Sequence, residues 1–162
     1  MPAGSGVLSE DRAAQAYHGL MASLSPTDQL VVDGPVVFYD GECGLCHRGV
    51  RWVARRDRKQ MIRFAPLQGS TAAETVGTPN GPLESWTMLL LDETGRFDRS
   101  DAVLRIWWHL GGFWRVISWL RIVPRWLRDP LYRFVARNRI RWFGRAEMCD
   151  LPDEGLLAQV LP

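Results

Sequence analysis

Cys43-Gly44-Leu45-Cys46 constrains this chain more than any other feature. It follows Val36-Val37-Phe38-Tyr39, a short apolar and β-branched run that reads as a buried strand, and the Asp40-Gly41 turn signal. After it, apolar Val50, Val53 and Ala54 stand at helical spacing against Arg51, Arg55, Arg56 and Asp57. A Cys-x-x-Cys between a strand and a helix places its first thiol at a helix N-terminus. Unpaired backbone N–H groups and the helix dipole favour an anion there, and so favour the thiolate. The second sulfur lies one turn further on, within reach of the first. Such a pair is built for exchanging a disulfide.

Other chemistries share the spelling. A zinc site would take Cys43, Cys46, His47 and Cys149, but the chain has no second Cys-x-x-Cys and no His-x-x-x-His pair. Cys43 to His47 also spells the c-type haem attachment pattern, C-x-x-C-H. Haem attachment calls for export, and the first thirty residues offer no basic start followed by an apolar stretch. Nothing singles out His109, Met61, Met88 or Met148 as its distal ligand. Two unrelated buried thiols are the third alternative, which Gly44 and the strand–turn–helix setting disfavour.

A chain of 162 residues suits one compact domain with a real core. Three cysteines without a secretory signal point to a reducing compartment, hence to a cytoplasmic protein whose Cys-x-x-Cys is catalytic. The apolar segment from Ala102 to Val123 is interrupted by Arg105, Arg115 and Arg121, too often to span a bilayer. Residues 1–30 read as a flexible extension, with a short helix from Ser9 to Leu24 capped by Ser9 or Asp11. The domain, 31–162, is expected to open with a strand after Pro35 and a helix to about Arg58. A strand over Met61 to Ala65 stopped by Pro66, a long loop over 68–84, and a strand over Trp86 to Leu91 should follow. Asp92-Glu93-Thr94-Gly95 turns the chain into a fourth strand at Arg96-Phe97-Asp98, and Ser100 caps a helix from Asp101 to about Leu110.

The run Val37-Phe38-Tyr39-Asp40-Gly41-Glu42-Cys43-Gly44-Leu45-Cys46 resembles the signature of the DCC family of thiol-disulfide oxidoreductases, an aspartate-glycine, one residue, then Cys-x-x-Cys. The likeness continues through Arg63-Phe64-Ala65-Pro66-Leu67-Gln68, Ser100-Asp101-Ala102-Val103-Leu104, Ala136-Arg137-Asn138-Arg139, Phe143-Gly144 and Cys149, about residues 35 to 152. It implies an α/β fold with a thioredoxin-like central sheet and flanking helices, which the element order supports. Thioredoxin-like proteins usually carry a cis-proline before the strand facing the cysteines. That position falls near Ser85 to Thr87 here, and the nearest proline is Pro82.

The expected chemistry is stepwise exchange with no cofactor beyond the dithiol. Cys43, taken as the more exposed thiol, attacks a substrate disulfide, and Cys46 resolves the mixed disulfide. The substrate is a disulfide-containing protein or glutathione. Asp40 either accepts the resolving thiol's proton or closes the turn. His47 stabilises the thiolate if protonated, or points to solvent. Ser100-Asp101 resembles the element that holds a glutathione carboxylate on backbone N–H groups, with a plain helix cap as the alternative. Cys149 is an inert buried thiol or a third redox partner.

The segment from Arg105 to Arg145 changes character. It holds ten arginines, one acidic residue (Asp129) and six of the eight tryptophans, and carries about +9 in a chain whose total is +2. Gly111-Gly112 and Pro124 break it, and Asp129-Pro130 reads as the start of a new helix ended by Gly144. Leu131, Phe134, Val135, Asn138 and Trp142 fall on one face of that helix, and Arg133, Arg137 and Arg141 on another. A helical extension over about 101–145 that covers the sheet, with arginines solvated and tryptophans buried, competes with contact to an anionic membrane and, less well, with nucleic-acid binding. The stripe could also steer an acidic substrate. A metal-binding adaptor or membrane-surface module is the non-catalytic alternative.

Overall fold

The computed structural model describes residues 34–77, 86–146 and 154–162. The chain forms a four-stranded mixed sheet with helices on both faces. Strand β1 (Val36–Tyr39) enters helix α1 (Gly44–Ala54), β2 (Arg63–Pro66) is followed by α2 (Ser70–Thr75), and β3 (Leu89–Asp92) pairs with β4 (Gly95–Asp98). Then come α3 (Arg99–Leu110), α4 (Gly112–Ile117), a 3-10 turn (Ser118–Ile122), α5 (Arg125–Phe143) and a short α6 (Glu154–Leu157). The sheet order is β2-β1-β3-β4, with β1 parallel to β2 and antiparallel to β3, and β3 antiparallel to β4. This arrangement is consistent with the thioredoxin-like fold that the element order implied.

Alternation along β1 divides the core. Val37 and Tyr39 face one side with Cys43, Cys46, Val50, Phe64, Leu90 and Ile106, while Val36 and Phe38 face the other with Ala65, Leu67, Ala72, Leu89 and Leu91. All four β1 residues are buried, as befits a central strand covered on both faces. The turn after β3 is locked by Asp92. Burial opposes its charge, yet hydrogen bonds from Thr94, Arg105 and His109 hold its carboxyl well below the usual carboxylate range. The edge of β2 is covered by the chain's last residues. Phe64 N donates to Gln159 O at 2.8 Å, and Leu161 N to Phe64 O at 2.7 Å.

Several boundaries differ from expectation. Helix α1 ends at Ala54, not near Arg58. Pro66 does not stop β2 but is its last residue, opposite Tyr39, because the next bond of the ladder is carried by Leu67 N to Tyr39 O. The expected loop over 68–84 contains α2, whose entry is Gly69. Strand β3 begins at Leu89, since Thr87 and Met88 are bonded to Tyr132 instead. Helix α3 begins at Arg99, directly out of β4, so Ser100 is inside its first turn and is not the cap. Asp129-Pro130 does not start a helix. Pro124 occupies the N-cap of α5, and Pro130 lies within it, where the carbonyl it leaves unbonded belongs to the strongly exposed Trp126. The ends at Gly111, Gly112 and Gly144, all at positive φ, agree with the sequence. The tryptophans do not fulfil the buried-extension reading. Trp107 and Trp114 are partly covered, Trp114 packing against Trp52, but Trp119, Trp126 and Trp142 are exposed. The expectations for residues 1–30, Pro82 and Cys149 fall outside the described residues.

Candidate active site

The β1–α1 turn is built by hydrogen bonds that converge on Asp40. Its Oδ1 accepts the backbone N–H of Glu42 at 3.0 Å and Nε2 of Gln68 at 3.1 Å, and its Oδ2 accepts Nη2 of Arg139 at 2.7 Å. Gln68 also receives the N–H of Gly41 on Oε1 at 3.0 Å, so one amide ties β2 to both sides of the turn. His47 is buried. Its Nε2–H donates to the carbonyl of Gly41 at 2.7 Å, and its ring meets Tyr39 edge-on. The side chain therefore braces the turn from inside and does not point to solvent.

Cys43 occupies the N-cap of α1 in extended conformation. The hydrogen bond from Cys46, aided by the N–H groups of Leu45 and Cys46 and by the Arg139 charge, outweighs desolvation and lowers the Cys43 thiol from 9.0 to about 6. Cys46 moves the opposite way. Its bond to Cys43, its burial and the charges of Cys43 and Asp40 push its thiol well up. The pairing thus favours the thiolate at Cys43, at the start of α1, and the protonated form of Cys46. Both cysteines are free.

Cys43 is not the more exposed of the pair, as the sequence suggested: it is 0% exposed against 7% for Cys46. The chain leaving α5 covers it. Cys43 forms an antiparallel bridge with Arg145, Gly44 N donates to Gly144 O at 3.2 Å, and Ala146 N to Glu42 O at 3.0 Å. A Cβ on Gly44 would sit 2.5 Å from the Phe143 carbonyl, so the glycine between the cysteines is required by the packing of α5 onto the start of α1.

Beside Cys46 lies a cavity of about 650 Å³, walled by α1, α3 and α5. Its lining is almost wholly apolar, with Ser100, Arg128 and Arg139 as the polar exceptions apart from Tyr132 and Cys46. Ser100 therefore lines the same cavity as Cys46, but both it and Asp101 are engaged by α5. Ser100 Oγ accepts Arg128 Nη1 at 2.7 Å and donates to Asp129, while buried Asp101 pairs with Arg125 and Arg128. Tyr132, on α5, is bonded to the segment just before β3. Its hydroxyl accepts Thr87 Oγ1 at 3.0 Å and Met88 N at 3.1 Å, and burial raises it above the ordinary phenol value. No peptide bond among the described residues is cis.

The structure thus joins Cys43, Cys46 and Asp40, and sets Ser100 on the wall of the cavity that Cys46 also lines, whereas Asp101 does not line it. Arg139, Gln68 and Tyr132 were given no role from sequence, although Gln68 and Arg139 lie in segments quoted for the family resemblance. Their local sequence does not set them apart: Arg139 stands among Arg137, Asn138 and Arg141, Gln68 precedes Gly69-Ser70, and Tyr132 precedes Arg133. Among the described residues no group of three His, Cys, Asp or Glu side chains gathers to hold a metal. His47, a zinc candidate, has its Nε2 on Gly41, and His109, a haem candidate, is bonded to Asp92. No described helix is long and apolar enough to cross a membrane.

The chain is 32% identical over 128 residues to the uncharacterized protein YuxK of Bacillus subtilis (strain 168), covering 78% of this chain and 93% of that one. It is 33% identical over 119 residues to a chloroplastic DCC family protein of Arabidopsis thaliana, covering 72% and 69%. No solved structure matches. The sequence pattern of the DCC1-like family matches residues 37–145, a span that includes the dithiol, the Asp40–Arg139 pair and Gln68. With a cysteine at the N-cap of α1, its partner one turn on and the buried ion pair all inside that match, the chain belongs to the DCC1-like thiol-disulfide oxidoreductase family.

Proposed function

We propose that the protein exchanges disulfides with a protein substrate through Cys43 and Cys46. The observation that carries this reading is the placement of buried Cys43 at the N-cap of α1 with Cys46 one turn on, which lowers the Cys43 thiol to about 6 and raises that of Cys46. At neutral pH Cys43 is mostly thiolate. It attacks one sulfur of the substrate disulfide, forming a mixed disulfide and expelling the other sulfur as thiolate. Cys46 then gives up its proton to solvent or to the departing group and attacks the Cys43 sulfur. The Cys43–Cys46 bond forms, the mixed disulfide breaks, and the substrate leaves with two electrons. Asp40 acts through Arg139 and the turn, and the dithiol is the only redox group the reaction requires.

The cover over Cys43 opens before a substrate sulfur reaches it, and the Gly144–Ala146 stretch is the part that moves. The apolar walls beside Cys46 favour a protein disulfide flanked by apolar side chains over glutathione, whose charges find few partners there. Glutathione then serves as the smaller co-substrate, with the first turn of α3, where Ser100 lines the cavity, as the place for its carboxylate.

Equilibration in glutathione redox buffers, followed by alkylation and mass counting of free thiols, tests the reading. A reversible two-electron transition confined to Cys43 and Cys46 is expected. Cys43→Ser should abolish reduction of a protein disulfide, and Cys46→Ser should accumulate mixed disulfide. Absence of a transition, with thiols protected until a chelator is added, would overturn it in favour of a metal site.

A further inference from the structure

The exposed apolar side chains of this protein are concentrated in one region. Of the twelve large hydrophobic residues exposed among those described, ten lie between Phe113 and Trp142, on α4, the 3-10 turn and α5. Ile122 is 78% exposed and Trp126 75%. At about 3.6 residues per turn, Leu127, Leu131, Phe134 and Trp142 share one strip of α5. Arg133, Arg137 and Arg141 form the adjoining strip, and all three are exposed. Among the described residues no acidic side chain pairs with them, whereas their neighbours Arg105, Arg125, Arg128 and Arg139 pair with Asp92, Asp101, Asp101 and Asp40. Leu120 and Leu131 line both this surface and the cavity beside Cys46, so the cavity mouth lies within the apolar region.

We propose that α4, the 3-10 turn and α5 form a docking surface for an anionic bilayer, with the apolar strip entering the headgroup–acyl boundary and Arg133, Arg137 and Arg141 on lipid phosphates. The juxtaposition of an exposed aliphatic and aromatic strip with an arginine strip on one helix is the form of an interfacial helix. Charge selects this occupant over the others. A second copy would set one arginine-rich face against another, which repels. A nucleic acid would use the arginines and the aromatic rings but offers nothing to Val116, Leu120, Ile122, Leu127 or Leu131, whereas acyl chains cover them. The docking does not depend on the dithiol.

The full-length reduced protein is mixed with extruded vesicles of phosphatidylcholine alone or of phosphatidylcholine with phosphatidylglycerol, and bound protein is measured by sedimentation. Binding to the anionic vesicles, little to the neutral ones, and loss of binding at about 0.5 M salt are expected. The triple variant Arg133→Gln, Arg137→Gln, Arg141→Gln should weaken binding about a hundredfold, each charge contributing about fivefold. Leu127→Ser with Phe134→Ser should weaken it at least about tenfold while the thiol titration stays as in the parent. Quenching of tryptophan emission by brominated lipid in the unaltered protein tests insertion without any variant. Equal affinity for neutral vesicles, no binding, no quenching, or binding untouched by Leu127→Ser with Phe134→Ser would overturn the proposal. So would a concentration-dependent dimer lost in that variant, or tighter binding to a single-stranded oligonucleotide than to anionic vesicles at equal salt.

Discussion

Asp40 and Arg139 lie 99 positions apart in sequence, and their side chains meet at 2.7 Å with 1% and 4% of their surface exposed. The pair joins the cysteine turn to α5, and its cationic member lowers Cys43. Removing one partner of a buried ion pair leaves an uncompensated charge, at about 3–5 kcal/mol. Arg139→Gln is therefore expected to destabilise the protein by roughly that amount and to raise the Cys43 pKa. Urea unfolding measures the first effect and the pH profile of iodoacetamide alkylation the second. An unchanged alkylation profile in a folded variant would mean that Arg139 holds Asp40 without acting on the thiol.

Local chemistry made the dithiol legible in the sequence. A β-branched run, an Asp-Gly turn and Cys-x-x-Cys are contiguous, and their periodicities place the thiol at a helix start without tertiary information. Arg139 and Gln68 were legible only as members of a resemblance, because their roles arise from contacts across 99 and 28 positions. The cover on Cys43 was hidden for the same reason, being a bridge to Arg145. Asp129-Pro130 misled because the capping signal was real but the carboxylate was engaged by Ser100 on another helix. The exposed tryptophans contradicted the rule that large apolar residues go inside, and that failure marks the surface proposed to meet lipid.

Gly44 and Gly49 lie on the same helix and should respond oppositely to alanine. At Gly44 the added Cβ meets the backbone carbonyl of Phe143 at 2.5 Å, which no side-chain rotation relieves. Overpacking of this kind destabilises by about 1–3 kcal/mol, and here it also parts Gly44 N from Gly144 O and uncovers Cys43. Gly44→Ala should thus lower stability while speeding alkylation of Cys43. At Gly49 nothing lies within 4 Å of the added Cβ, so Gly49→Ala should stabilise by about 0.5–1 kcal/mol through helix propensity. Denaturant melts of both variants, with alkylation rates, check the contrast.

Tyr132 anchors the segment before β3 by accepting two hydrogen bonds on one partly buried oxygen. Tyr132→Phe keeps the ring but strands the partly buried Met88 N–H and Thr87 hydroxyl, a lost hydrogen bond of this kind costing about 0.5–1.5 kcal/mol. A loss of stability of that order is expected, with increased amide hydrogen exchange at Met88. If exchange there is unaltered, the Tyr132 hydroxyl is not what holds the segment.

The thiol pair also gives the reduced protein a pH dependence of stability with a definite sign. Cys43 is lowered from 9.0 to about 6, so the folded state releases its proton before the unfolded state does. Its contribution is fully present above the unfolded value near 9 and is lost as pH falls through about 6. The fall from 9.0 to about 6, at about 1.4 kcal/mol per pH unit, limits the gain to about 4 kcal/mol. Cys46 is raised and works in the reverse sense, adding stability below about 9 that drains away as pH rises above it. Reduced protein should therefore gain stability from pH 6 toward 9 and lose it at higher pH. Oxidation joins the two sulfurs and removes both titrations, so the oxidised protein should show a flatter profile over that range, and Cys43→Ser should erase the rise between 6 and 9. Urea midpoints of the reduced, oxidised and Cys43→Ser proteins across that interval measure this directly. Parallel profiles for reduced and oxidised protein would show that the thiolate is not stabilised at the start of α1, and the nucleophile assigned to Cys43 would fall with it.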